Sequence, residues 1–228
     1  MEISDNLRLV EANIAAACKR AGRKREEVKL IAVSKTHPVE AIKEAIRCGI
    51  RSFGENKVQE LKDKLEKLDE SLDWHLIGHL QTNKVKYIAP YISLIHAVDS
   101  FKLMKEIDKQ AAHNNRIIRI LLELHIAEEA TKFGFSLADC RTLLEDGEWK
   151  ELKNIQICGL MCMASNTDNT EQVCKDFETA HIFFEEIKEK YFPNDEAFCE
   201  RSWGMTHDFQ IAVNEGSTMV RILSLIHI

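Results

Sequence analysis

The chain has no paired-cysteine motif, no excess of positive charge, no apolar run of membrane-spanning length and very little proline. Each absence narrows what it can be. Its seven cysteines are an odd number with no C-x-x-C pair. That argues against the common zinc and disulfide frameworks and for buried thiols in a reducing compartment. His75 and His79 have a metal-like separation but fall on a strand and its exit, so no metal site is expected. A formal net charge of −6 leaves nothing to draw a polyanion over the whole surface; this argues against nucleic acid as a partner. The short basic cluster at Lys19, Arg20, Arg23, Lys24 and Arg25 surrounds Gly22 and reads as a solvated helix end. The longest apolar candidate, Ile117 to Ile126, is interrupted by Arg119, Glu123 and His125. It falls well short of the ~20 residues that span a bilayer. The acidic start, Met1 to Asp5, lacks the basic and apolar regions of a secretion signal. A cytoplasmic protein is expected, without a membrane segment. Three prolines in 228 residues and no break in composition leave no room for a linker, so 1–228 reads as one domain.

What is present is an alternation. Leu30 to Val33 is apolar at consecutive positions, and strands buried on both faces belong to parallel sheets covered by helices. Seven further strands are expected at Ile50–Gly54, Trp74–Gly78, Ile92–Val98, Ile117–Ile126, Ile155–Met163, Phe198–Trp203 and Thr218–Ile222. Between them lie segments of helical period. One has Val58, Leu61, Leu65 and Leu68 on a single face; another, from Thr170 to Lys190, has Val173, Phe177, Phe184 and Ile187. Ser100 and Ser136 are expected helix caps, and Ser4 is the expected cap of an N-terminal helix that stops at Gly22. Cys158 and Cys162, four apart, are expected on one strand face. Eight βα units in about 200 residues predict an α/β fold, a (β/α)8 TIM-type barrel near its lower size limit. An open doubly wound sheet is the alternative. No helix follows the eighth strand, so the extra N-terminal helix is expected to fill the vacant place in the outer ring.

In such a barrel, functional groups sit at the C-terminal strand ends. Lys35 ends the first strand and is the prime candidate there, although a lysine at that place is often no more than a solvated strand end. Asn56, His79, the loop from Ala127 to Phe135, Gly204-Met205-Thr206 and Leu223-Ser224 share the same rim.

Seven stretches carry a resemblance: A-V-S-K-T (32–36), F-G-E-N-K-V-Q-E (53–60), W-H-L-I-G-H-L-Q-T-N-K (74–84), K-F-G-F (132–135), G-L-M (159–161), S-W-G-M-T-H-D (202–208) and G-S-T-M-V-R-I (216–222). In this order they resemble the pyridoxal-phosphate homeostasis proteins, single-domain relatives of the alanine racemase barrel, fold-type III. The resemblance implies that Lys35 forms a Schiff base with pyridoxal 5′-phosphate (PLP). That chemistry needs an accessible neutral amine, which apolar walls favour. It implies that Arg221 faces the pyridine nitrogen and makes the ring a weak electron sink; a strand-end salt bridge is the plainer role for that arginine. It places Ser202, Gly204, Met205, Thr206, Leu223 and Ser224 around the phosphate, and Asn56 and His79 near the cofactor. Asn56 could instead be a helix cap, and His79 a satisfied strand-end histidine. Lys132 matches a lysine near the mouth, with a solvated loop lysine as the equal alternative.

The match fails after Ile222. The family continues with glycine, whereas this chain reads Leu223-Ser224-Leu225-Ile226-His227-Ile228. A β-carbon at Leu223 is expected to crowd the phosphate, and 223–228 is atypical enough to suggest a non-native tail. By the resemblance, the expected function is intracellular PLP (vitamin B6) homeostasis, by storage or delivery, with apo-PLP enzymes as transient clients and a monomer or weak homodimer as the unit. An amino-acid racemase is the alternative. It needs a second acid/base, which the racemase relatives draw from a further domain that 228 barrel residues leave no length for. A cofactor-free aldolase-type barrel using Lys35 is the third reading.

Overall fold

The computed structural model describes residues 2–68, 71–127 and 133–226. Eight parallel strands close into a barrel in chain order: β1 (Lys29–Val33), β2 (Ser52–Glu55), β3 (Asp73–Leu76), β4 (Leu94–Val98), β5 (Ile118–Leu124), β6 (Ile155–Cys162), β7 (Glu200–Met205) and β8 (Met219–Ile222). β8 returns to pair with β1, Lys29 to Ala32 lying beside Met219 to Ile222. The closed ring rules out the open sheet. The helices are α1 (Ile3–Arg20), α2 (Val39–Arg47), α3 (Val58–Leu65), α4 (Val85–Ile88), α5 (Phe101–His113), α6 (Leu137–Asp146), α7 (Thr170–Tyr191) and α8 (Phe209–Asn214). None of the described helices is long and apolar enough to cross a membrane.

The pattern of burial explains the architecture. The main core lies between sheet and helices, where Ile42, Leu61, Met104, Phe177 and Phe184 pack on the outward strand residues. A second, smaller cluster fills the barrel itself: Ile31, Leu94, Ala97, Leu121, Cys158, Met161 and Met219. Ser100 and Ser136 cap α5 and α6 as expected, accepting from the backbone N–H of Leu103 and Asp139. Ser4 does not cap α1. The helix starts at Ile3, whose full burial pins the first turn, and Glu2 takes the cap position without a side-chain bond. α1 packs on α8 and α2, filling the place that a helix after β8 would hold.

Cys158 and Cys162 do not share a face. Cys158 belongs to the interior cluster and Cys162 to the outer core. The β5–β6 register slips between Ile120 and Leu121, opposite Gly159, which reverses the alternation at that point. Gly159 has φ +149°, and a Cβ there would lie 1.9 Å from the Glu200 carbonyl oxygen, so only glycine fits this close approach. The atypical tail is packed: Leu225 and Ile226 are buried in the main core, and the Asn6 amide donates to the Leu225 carbonyl at 3.4 Å.

Candidate functional site

Lys35 follows β1 in a tight turn that α3 holds from behind. The His37 N–H donates to the Ser34 carbonyl at 3.1 Å, and Thr36 stands at φ +64°. A β-branched residue in the left-handed region is strained. Two contacts offset the strain. The Glu60 carboxylate accepts from the Thr36 N–H at 2.8 Å, and the Lys64 ammonium donates to the Ser34 carbonyl at 2.7 Å. Lys64 also pairs with Glu55 at 2.5 Å, and the Ser34 hydroxyl donates to the same carboxylate oxygen at 2.6 Å. Glu55 is fully buried and Lys64 nearly so. Burial pushes the Glu55 carboxyl above its ordinary value, while Lys64 and Ser34 pull it back. The backbone on both sides of Lys35 is thus clamped by charged groups, to none of which the sequence reading gave this role.

Lys35 opens into a cavity of about 330 Å³ at the C-terminal mouth of the barrel. Asn56, His79, Met205, Thr206, Arg221 and Leu223 line the same cavity, so seven of the ten expected site residues converge. Asn56 is not a helix cap; Lys57 takes that position at α3. The His79 imidazole lies 3.1 Å from Asp99 and stacks on the Phe133 ring, centroids 4.0 Å apart. Lys132 lies outside the described residues.

Arg221 is buried, and all its hydrogen-bond partners are neutral oxygens. It donates to the Ser202 carbonyl at 2.6 Å, the Ser202 hydroxyl at 2.5 Å and the Cys162 carbonyl at 3.0 Å. Burial lowers its pKa from the ordinary value, but a guanidinium keeps its charge at neutral pH. Of its five N–H groups, two are left over, and Arg221 lines the cavity wall.

Ser202 therefore acts one layer below the expected place. It is fully buried and supports Arg221 instead of lining the cavity. Its hydroxyl is also 2.8 Å from His96 Nδ1, and His96 Nε2 is 2.9 Å from His75 Nδ1. Burial holds His96 well below the usual range and His75 down to about 3, so both rings are neutral. Arginine can only donate. The Ser202 hydroxyl accordingly accepts from Arg221 and donates to His96, which donates to His75. This direction leaves one unpartnered group, His75 Nε2, whereas the reverse direction would strand the serine hydrogen as well. Gly204 is buried too. It has φ +94°, and a Cβ would lie 2.9 Å from Phe209 Cα, so it seats α8 against β7.

The corner between β7 and β8 has the makings of an anion cradle. The backbone N–H groups of Leu223 and Ser224 both point at the Thr206 hydroxyl oxygen, at 3.1 and 3.5 Å. Two adjacent amides converging on one oxygen suit a phosphate. The Ser224 side chain is exposed and contributes only through its backbone. On the β5 wall of the same cavity stands Glu123, a residue absent from the expected set. It is 4% exposed, and its Oε2 has no hydrogen-bond partner.

Comparison with known proteins adds a lineage to this geometry. The pattern of the alanine racemase N-terminal domain family matches residues 6–222. The pyridoxal phosphate homeostasis protein of Aquifex aeolicus (strain VF5) is 40% identical over 227 residues, covering 99% of this chain and 97% of that one. This chain belongs to the pyridoxal phosphate homeostasis protein family. A solved structure of similar size, PipY of Synechococcus elongatus PCC7942 with PLP bound, superposes with a TM-score of 0.82 at 33% identity, covering 98% of this chain and 99% of PipY. Alanine racemase of Clostridium difficile 630 shares the fold at a TM-score of 0.73 and 15% identity; the match covers 98% of this chain but 56% of the racemase. The homeostasis family thus supplies relatives matched over nearly their full length, and the racemase only a likeness of the barrel.

Proposed function

We propose that this chain binds PLP covalently through the Lys35 amine and serves intracellular PLP (vitamin B6) homeostasis, holding the cofactor for storage or for transfer to apo-PLP enzymes in the cytoplasm. The observation that carries the reading is the convergence of Lys35, Arg221, Thr206 and Leu223 on one cavity, with the Leu223 and Ser224 amides gathered on the Thr206 hydroxyl at its edge. A phosphorylated pyridine aldehyde needs an amine, a donor for its ring nitrogen and an anion cradle, and this cavity offers all three. PLP supplies an electrophilic aldehyde when bound; everything else is the protein's work. The clamp of Glu60, Lys64 and Glu55 fixes the backbone on either side of Lys35. Arg221 would give an N–H to the ring nitrogen and, being always charged, would keep a proton off it. An unprotonated ring withdraws electrons weakly, which suits holding a cofactor more than driving catalysis. His79, stacked on Phe133, and the apolar Met163 line the cavity and would lie against the bound ring.

The test is a visible spectrum of the PLP-loaded protein, followed by borohydride reduction and peptide mapping. A yellow band and a single modified lysine at position 35 are expected, with both lost in Lys35→Ala. A band that survives in Lys35→Ala would sink the proposal. Restored activity of an added apo-PLP enzyme checks delivery, and D-amino acids formed by the loaded protein would favour the racemase reading.

Leu223 presents its N–H to the cradle, but its side chain narrows the same corner. Leu223→Gly is expected to retain PLP roughly tenfold more tightly. Equal release rates on dialysis would contradict this.

A further inference from the structure

Glu123 has no role in the account above, and its surroundings call for one. β5 lies four strands from β1 in either direction around the closed ring of eight. Glu123 and Lys35 therefore stand on opposite walls of one cavity. The carboxyl is more than nine-tenths buried, and Oε2 has neither a protein partner nor contact with solvent. Burying one oxygen unpaired favours the protonated carboxyl, and it leaves Oε1 as the atom that a molecule in the cavity can reach.

The charges around it come from every side. Arg221 on β8 attracts the ionised form, and Asp99 beyond β4 opposes it. Lys35, His79 and His207 share the cavity, Cys162 lies on β6, and His125 follows on its own chain. Burial first, and Asp99 second, push the Glu123 carboxyl up to about 7, against the pull of Arg221. The group therefore changes charge near neutrality.

We propose that Glu123 is a ligand-contacting residue that carries a proton when the site is filled and donates it in a hydrogen bond to the ring oxygen of the cofactor. This rests on the PLP reading above. In PLP the phosphate arm and the ring oxygen are carried by the two ring carbons beside the one that bears the aldehyde, and they diverge to either side of it. With the aldehyde at Lys35 and the phosphate in the β7–β8 corner, the ring oxygen would lie on the side away from that corner, toward the β3–β5 wall. His79, Asp99 and Glu123 stand there. The ring oxygen is anionic or nearly so, and an ionised carboxylate beside it would repel it. Protonated Glu123 instead supplies the missing donor, and the proton comes from the buffer. Loading then takes up one proton at Glu123 when the pH is above its titration range. The Glu123 contribution to affinity is full below pH 7 and declines as the pH rises.

The experiment is calorimetric titration with PLP in two buffers of different ionisation heat, on wild type and Glu123→Gln. Glutamine keeps the shape and a neutral donor. At pH 8 the wild type is expected to take up close to one proton more than Glu123→Gln; the deprotonation of Lys35 is common to both and cancels. From pH 7 to 9 the wild type should lose affinity relative to Glu123→Gln by up to tenfold per pH unit, with a constant ratio below pH 6. With 3-deoxypyridoxal phosphate, which lacks the ring oxygen, both differences should vanish. Equal proton uptake by the two proteins overturns the proposal, as does a difference that persists with the deoxy analogue. If neither protein binds PLP by heat or absorbance, the PLP reading of the cavity falls, and this proposal with it. Infrared detection of the Glu123 carboxyl band in the unloaded protein gives a readout free of the cofactor: it should disappear between pH 6 and 8 and be missing in Glu123→Gln.

Discussion

Lys64→Met is expected to lower the unfolding free energy at pH 7 by about 3–5 kcal/mol, the usual effect of removing one partner of a buried ion pair. For a domain whose whole stability is of order 5–15 kcal/mol, this is a large share. Lys64 reaches the Glu55 carboxylate and the Ser34 carbonyl at once. Without it, Glu55 keeps only the Ser34 hydroxyl on one oxygen, and its Oε2 already lacks a partner. The stranded carboxyl must then stay charged in a dry site or take a proton. Burial already raises its pKa, and Lys64 is the first of the groups opposing that rise. The loss in Lys64→Met should therefore be smaller at pH 5 than at pH 8, since protonation relieves the unpaired charge. Urea unfolding at both pH values measures it. The double variant Lys64→Met/Glu55→Gln should recover most of the loss. A loss below 1 kcal/mol in the single variant would show that this pair does not hold the Lys35 turn. Because the same ammonium fixes the Ser34 carbonyl, Lys64→Met should also slow PLP capture, and the double variant should restore stability without restoring that rate.

How much of this was readable beforehand depends on what a linear pattern encodes. The barrel was legible because its strands are apolar on both faces and its helices on one. Lys35 and Arg221 were legible through strand ends and the motifs around them. The side on which an inner residue points was harder. β7 shifts register between Ser202 and Met205, so the direction of the Ser202 hydroxyl could not be counted from its neighbours; it meets Arg221 and His96 inside the barrel. The Gly159 slip separated Cys158 from Cys162 for the same reason. Glu123 did leave a signal. It stands two residues after Leu121, which faces the interior, and strand alternation carries that direction to Glu123. The charge read first as an interruption of an apolar run, when its period placed it inside the mouth. Glu55 stood out only as a polar position at a strand end, and Lys64 left no signal, because their pairing spans a strand and the following helix, and only the packing of α3 on β2 brings them together.

Glu123→Gln is expected to stabilise the unloaded protein by about 3 kcal/mol at pH 8 and to change little at pH 4. The sign follows from linkage. The folded carboxyl sits at about 7 against an ordinary value of 4.5, so the folded state holds this proton more tightly than the unfolded chain does. Wild-type stability at this group is then highest in acid. It falls as pH rises from the unfolded value through the folded one, and levels off above it. A difference of that size, at about 1.4 kcal/mol per pKa unit, gives the ~3 kcal/mol plateau. Glutamine has no proton to lose and escapes the penalty. Thermal or urea unfolding of both proteins at pH 4, 6 and 8 tests this, and a gap that stays constant across the range would contradict it. Such a cost in the empty protein makes sense only if the filled site recovers it, since unsatisfied groups of this kind persist where function requires them. Loading with PLP should therefore narrow the gap between the two proteins at pH 8, because it returns to Glu123 both a proton and a partner. The instability of the empty mouth and the hold on the cofactor are, on this account, two measurements of one carboxyl group.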